Sequence, residues 1–229
     1  MAVETKTSAD KPTLGSSRTT AIWVALGAIV AAAAPHFFLQ TPLGFYGESN
    51  VNGWLGLTIW GPTFLAAVAL FVGADADTDA NKPLVDNVDV RMAAAASVPI
   101  VVVVALCAIN FDGYQHIGDW SKLGLAMAVY GGIFAVGTFF WQAFVQSVVL
   151  RGWSSFVRPL VVTALGAALW LPFLVGHPWS KVGEPLAEYA IVYFGLALLY
   201  ELGLSVWVCM GAGLMMGVGY AFAHQMTFF

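Results

Sequence analysis

The sequence predicts an all-α polytopic membrane protein, a bundle of about seven transmembrane helices, and three observations carry that expectation. Hydrophobic residues fill 59% of the 229 positions and charged residues only 10%, an apolar share well above that of soluble domains. The apolar residues lie in runs of about 20, the length that crosses a hydrocarbon core of roughly 30 Å. The nine Lys and Arg residues sit at or beyond the ends of those runs and divide unevenly between alternate sides, as topogenic charges do.

Residues 1–19 form a polar tail with Lys6, Lys11 and Arg18. The tail lacks the short apolar core and small-residue cleavage site of a signal peptide, so it reads as a retained cytoplasmic segment. Residues 20–229 read as a single transmembrane helical domain. Span one is expected over 20–38, with Pro35 marking its exit and His36 at the interface. Span two, 54–74, contains Pro62. The loop after it holds five aspartates between Asp75 and Asp89. Asp75, Asp77 and Asp79 alternate like the start of an EF-hand, but the glycine at position six and the glutamate at position twelve are missing, so a solvated connection is expected rather than a calcium site.

Span three, 92–109, is rich in Ala and Val and is followed by a loop in which Asp112, His116 and Asp119 read as exposed polarity. Span four runs from near Lys122 to Arg151, about 45 Å at helical rise. That exceeds the core, so the span must tilt, protrude or break, and the pair Gly131 and Gly132 is the expected weak point. Span five, 160–176, ends at His177 and Pro178. The tract 189–229 is too long for one crossing. Its one acid, Glu201, sits beside Gly203 and Ser205, where the turn between spans six and seven is expected, and Glu201 reads as a charge at a helix end in the interface.

Lys6, Lys11, Arg18, Lys82, Arg91, Arg151 and Arg158 share one side, and Lys122 and Lys181 the other. The positive-inside rule then places the N-terminus in the cytoplasm and, after seven spans, the C-terminus outside, in a plasma or inner membrane. With so few basic residues and no patch of them, nucleic acid is excluded as a partner. The expected surroundings are the lipid bilayer. Cys107 and Cys209 lie in apolar runs and imply neither a disulfide framework nor a metal cluster.

The most informative stretch is Trp141 to Trp153, WQAFVQSVVLRGW. Gln142 and Gln146 are four apart and share a helical face, and Arg151 lies roughly 140° round the axis from Gln146. Intramembrane polar side chains face a bundle interior or a water-filled cavity, or they join helices by hydrogen bonds. Counted from a turn near Arg158, Gln146 lies roughly 18 Å, His177 roughly 28 Å and His224 roughly 30 Å from one face. The two histidines then share a level, with the amide one to two turns deeper.

These residues carry a family resemblance. QSVVLRG (Gln146 to Gly152) resembles the EExxxRG motif of the CPBP family, the CAAX protease and bacteriocin-processing intramembrane proteases. FLVGH (Phe173 to His177) resembles its FxxxH motif, and His224 with Phe228 resembles its HxxxN motif. The resemblance covers about 123–229. It implies a pocket in which the first Glu activates water and the histidines and Asn stabilise the oxyanion, in some accounts with a metal. Here Gln146 and Ser147 replace both acids and Phe228 replaces the Asn. An amide cannot act as a general base at neutral pH and is a poor metal ligand beside a carboxylate. The missing Asn removes an oxyanion partner.

The expected function is therefore that of a CPBP-like pseudoenzyme. It has no intact catalytic set and no metal site, and serves as an accessory or scaffolding subunit beside other membrane proteins. Two alternatives stay open. One is an active endopeptidase with an altered base. The other is a subunit that binds haem, a pigment or a metal through His177 or His224.

Overall fold

The structure, a computed structural model, describes residues 18–40, 51–74, 84–110, 120–171 and 178–224, with backbone only at 36–40, 51–58 and 180–181. These residues form seven α-helices and no strand. They are α1 (Arg18–Gln40), α2 (Val51–Val72), α3 (Val88–Ile109), α4 (Trp120–Thr138), α5 (Val157–Ala168), α6 (Trp179–Glu201) and α7 (Val206–Ala223). Five stretches are long and apolar enough to cross a membrane: Arg18–Pro35, Val88–Ile109, Trp120–Val149, Val182–Glu201 and Val206–Ala223. The chain is a helical polytopic membrane protein.

Helices α4 and α7 form the central pair, and the sequence GAGLMMG explains why. A Cβ on Gly217 would lie 2.2 Å from the Tyr130 carbonyl oxygen, and one on Gly213 would lie 2.9 Å from that of Phe134. The two backbones therefore touch, which only a small-xxx-small face permits and which maximises dispersion contact where lipid offers no hydrophobic drive. Around this pair, α3 packs on α6 and α7, α5 packs on α6, and α1 and α2 close the other flank.

Span four breaks, but not at its glycines. Gly131 is buried against Val218 and Leu214 of α7, and the helix stays regular through it. The irregularity begins after Thr138, where Phe139–Val149 continue as a π-helix. Thr138 Oγ1 donates to the Phe134 carbonyl at 2.6 Å, and Ser147 Oγ donates to that of Ala143. Hydroxyls that bond back one turn compete with the backbone ladder and loosen it. The wider coil shortens an overlong span, and such segments recur at functional positions.

Pro35 lies inside α1, which runs on to Gln40 rather than ending there. The described part of span five is a helix of 12 residues. The α6–α7 turn falls where expected, with Gly203 at φ 88°, a conformation that favours glycine, and with Ser205 capping α7 through a 3.4 Å bond from the Val208 amide. Asp75, Asp77, Asp79, Asp112, His116, Asp119 and residues 1–17 lie outside the described residues.

Backbone and side-chain bonds tie one end of the bundle together. The Leu84 amide donates to the Glu201 carbonyl at 3.0 Å and Arg91 Nη1 to the Gly203 carbonyl at 3.1 Å. The starts of α3, α5 and α7 and the ends of the π-helix and α6 thus share that end. The end of α3, the start of α4, the start of α6 and the end of α7 share the other.

Candidate functional site

Two buried polar clusters sit on α6, each built on a glutamate, one at its C-terminal residue and one near its middle. Their carboxylates are thirteen residues apart on one helix, about 20 Å along its axis.

The first cluster gathers Gln146, Arg158 and Glu201. Gln146 Nε2 donates to Glu201 Oε1 at 2.8 Å and to the Ala197 carbonyl at 3.0 Å. Arg158 Nη2 donates to Glu201 Oε2 at 2.6 Å and to Ser155 Oγ at 3.2 Å. Arg158 reaches inward because it sits in the first turn of α5, after a turn in which the Val157 and Arg158 amides both bond to the Ser154 carbonyl. Glu201 is 3% and Arg158 4% exposed. Glu201 is therefore not the interfacial charge expected from its place beside a turn. A carboxylate this deeply buried needs a cation and full hydrogen bonding, and Arg158 and Gln146 supply them.

Arg151, the motif arginine, stays exposed in the turn after the π-helix. Ser147 is buried but spends its hydroxyl on the Ala143 carbonyl. The guanidinium that serves the buried carboxylate is thus that of Arg158, seven residues further on.

The second cluster gathers Asn110, Glu188 and His224. Glu188 is fully buried. Asn110 Nδ2 donates to its Oε1 at 2.6 Å, and His224 Nε2 lies 2.6 Å from its Oε2. Asn110 is held by a second bond from its Nδ2 to the Leu106 carbonyl. His224 follows the last turn of α7 with its ring 4.5 Å from that of Tyr220. The arrangement fixes the imidazole orientation and leaves Nδ1 as its other polar atom, and the side chain is 21% exposed.

Aromatic rings fill the space between the clusters. Trp170 stacks on Tyr189 at 4.4 Å, Tyr189 on Tyr220 at 5.3 Å, and Tyr130 lies 5.1 Å from Tyr220. Phe134 sits edge-on to Tyr193 and Tyr220, and Trp170 Nε1 donates to the Tyr193 hydroxyl at 3.2 Å.

The clusters therefore separate two residues that a shared pocket would join. Gln146 belongs to the Glu201 cluster and His224 to the Glu188 cluster, farther apart than the one or two turns expected from counting rise. The difference arises because rise along separate helices ignores tilt and the π-helical stretch between. Phe173, His177 and Phe228 lie outside the described residues, and so does any contact between His177 and His224. Among the described residues, no group of three or more His, Cys, Asp or Glu is placed to hold a metal ion. Glu188 and His224 fall one ligand short of the three protein donors that catalytic zinc sites use.

Sequence reasoning passed over Glu188, Asn110 and Arg158. An acid within an apolar tract requires a partner, a signal present at Glu201, whereas Glu188 sits just before the apolar run, after Lys181 and Glu184. No protein family, curated protein or solved structure matches this chain.

Proposed function

We propose that this chain is a non-hydrolytic integral membrane subunit with a CPBP-like bundle, acting as an accessory or scaffolding component of a membrane protein assembly. Its N-terminus faces the cytoplasm of a plasma or inner membrane and its C-terminus the outside. The observation that supports it is the Gln146–Glu201–Arg158 lock. At the position where the resembling family places its water-activating acid, an amide donates to a carboxylate whose two oxygens are taken by Gln146 and Arg158. A carboxylate so committed holds helices together rather than relaying protons.

Purification in mild detergent tests the proposal. Stoichiometric co-purification of other membrane subunits, with no cleavage of prenylated or leader peptides, is expected. A monomer that cleaves such peptides would overturn it.

One observation favours a second reading, an active endopeptidase with an altered base. The Glu188–His224 pair has the carboxylate–imidazole geometry by which hydrolases orient a general base. Peptide cleavage that is lost in His224→Ala and retained in Gln146→Ala would establish it.

A further inference from the structure

The π-helical segment buries a carboxamide that meets no hydrogen-bond partner among the described residues. Gln142 is 0% exposed, and neither its Nε2 nor its Oε1 meets one. Gln146, four residues on, uses its Nε2 on Glu201 and Ala197, while its Oε1 also meets no partner among the described residues. One face of one helix thus presents an amide donor and two amide acceptors in the bundle interior. Burying such groups unpaired costs far more than a net hydrogen bond returns, so the pair calls for a ligand.

The chemistry of that ligand is constrained. It must donate to two carbonyl oxygens and accept from an amide nitrogen, so an apolar group fails. An anion would meet both amide oxygens and the nearby Glu201 carboxylate, and the arrangement is not one that ligates a metal. A small neutral molecule that both donates and accepts is required, and water is the one that buried polar groups recruit, typically making about three hydrogen bonds.

A continuous line of polar contacts joins this position to the membrane surface. Half-buried Ser155 bonds Arg158 at 3.2 Å, Arg158 bonds Glu201 at 2.6 Å, and Glu201 bonds Gln146 at 2.8 Å. Gln142 lies nine residues before exposed Arg151, so it is up to about 13 Å below that surface at helical rise and less in the wider coil.

We infer that Gln142 and Gln146 form a buried hydration site at the inner end of this path. One water donates to Gln142 Oε1 and Gln146 Oε1, and a second accepts from Gln142 Nε2. The site is independent of whether the protein hydrolyses anything.

A double-mutant cycle of the full chain in lipid nanodiscs tests it, using Gln142→Met, Gln146→Met and the pair. Gln142→Met is expected to lower Tm by about 2–4 °C, and the double variant to lose less than the sum, because either change removes the shared water. A Tm raised by Gln142→Met, as expected when a dry orphan amide is deleted, overturns the inference, as does strict additivity. A density map of the unaltered protein that resolves ordered water gives a reading free of folding effects. One water within about 3.2 Å of both Gln142 Oε1 and Gln146 Oε1, and a second at Gln142 Nε2, are expected. A Gln142 carboxamide turned instead onto a backbone carbonyl overturns it.

Discussion

Arg158 and Glu201 meet at 2.6 Å with almost no solvent between them and the bundle interior, and that contact has a consequence for stability. Breaking a buried pair by deleting one charge strands the other, at about 3–5 kcal/mol, whereas replacing both by apolar groups is often near neutral. Arg158→Met is thus expected to destabilise the protein by about 3–5 kcal/mol in unfolding measured in nanodiscs. The Arg158→Met, Glu201→Met double variant should recover most of that loss, and equal losses in both would show that the pair is not coupled. Arg151→Ala is the contrast: the side chain is exposed and its removal should change stability by no more than about 0.5 kcal/mol. Near the middle of α6, His224→Ala leaves Glu188 with Asn110 as its one side-chain hydrogen-bond partner among the described residues. The lost bond to a charged group should cost about 1.5–3 kcal/mol, read by the same unfolding measurement.

Among the elements, the α4–α7 pair bears the packing and the π-helix bears the polar residues. The GAGLMMGVG stretch is used inside the bundle: Gly213 and Gly217 meet carbonyls of α4, and Gly219 meets Val103 of α3. Gly217→Val must push the helices apart, since even its Cβ would come within 2.2 Å of the Tyr130 oxygen. A cost of about 1–3 kcal/mol is expected from overpacking of this kind. Gly211→Ala, whose Cβ meets nothing within 4 Å, is the matched control and should be neutral in the same thermal melt. A neutral Gly217→Val would mean that α4 and α7 do not touch as described. The π-helix sets where the amides point, because 11 residues of wider coil change the angular relation of Gln142 and Gln146 to everything before Thr138.

At the scale of the whole molecule, the bundle has two ends of different character joined by an aromatic middle. One end holds Arg91, Arg151, Arg158 and Glu201, and the other holds Lys122, Glu188 and His224. Single cysteines at Ser154 and Lys122, in a background lacking Cys107 and Cys209, should react with an impermeant thiol reagent from opposite faces of sealed vesicles. The proposed orientation requires Ser154→Cys to react from the cytoplasmic side. Reaction from the outer side would reverse the orientation while leaving the fold intact, and reaction of both from one face would contradict the fold itself.

Helix number, most span boundaries and the α6–α7 turn were legible in the sequence, because each follows from local composition: a run of about 20 apolar residues spans a bilayer whatever its neighbours, and glycine and a capping serine mark a turn. The break in span four was legible as a necessity of length but not in place, since Gly131 looked weak until α7 packed against it. Which buried polar groups meet was not legible. Glu201 looked interfacial and Arg158 looked like one topogenic charge among several. Partners 43 residues apart for Arg158 and Glu201, 55 for Gln146 and Glu201, and 78 for Asn110 and Glu188 are set by how helices tilt and rotate against one another. Hydropathy along the chain carries no record of those angles, so only the tertiary structure could divide the polar residues between two separate clusters.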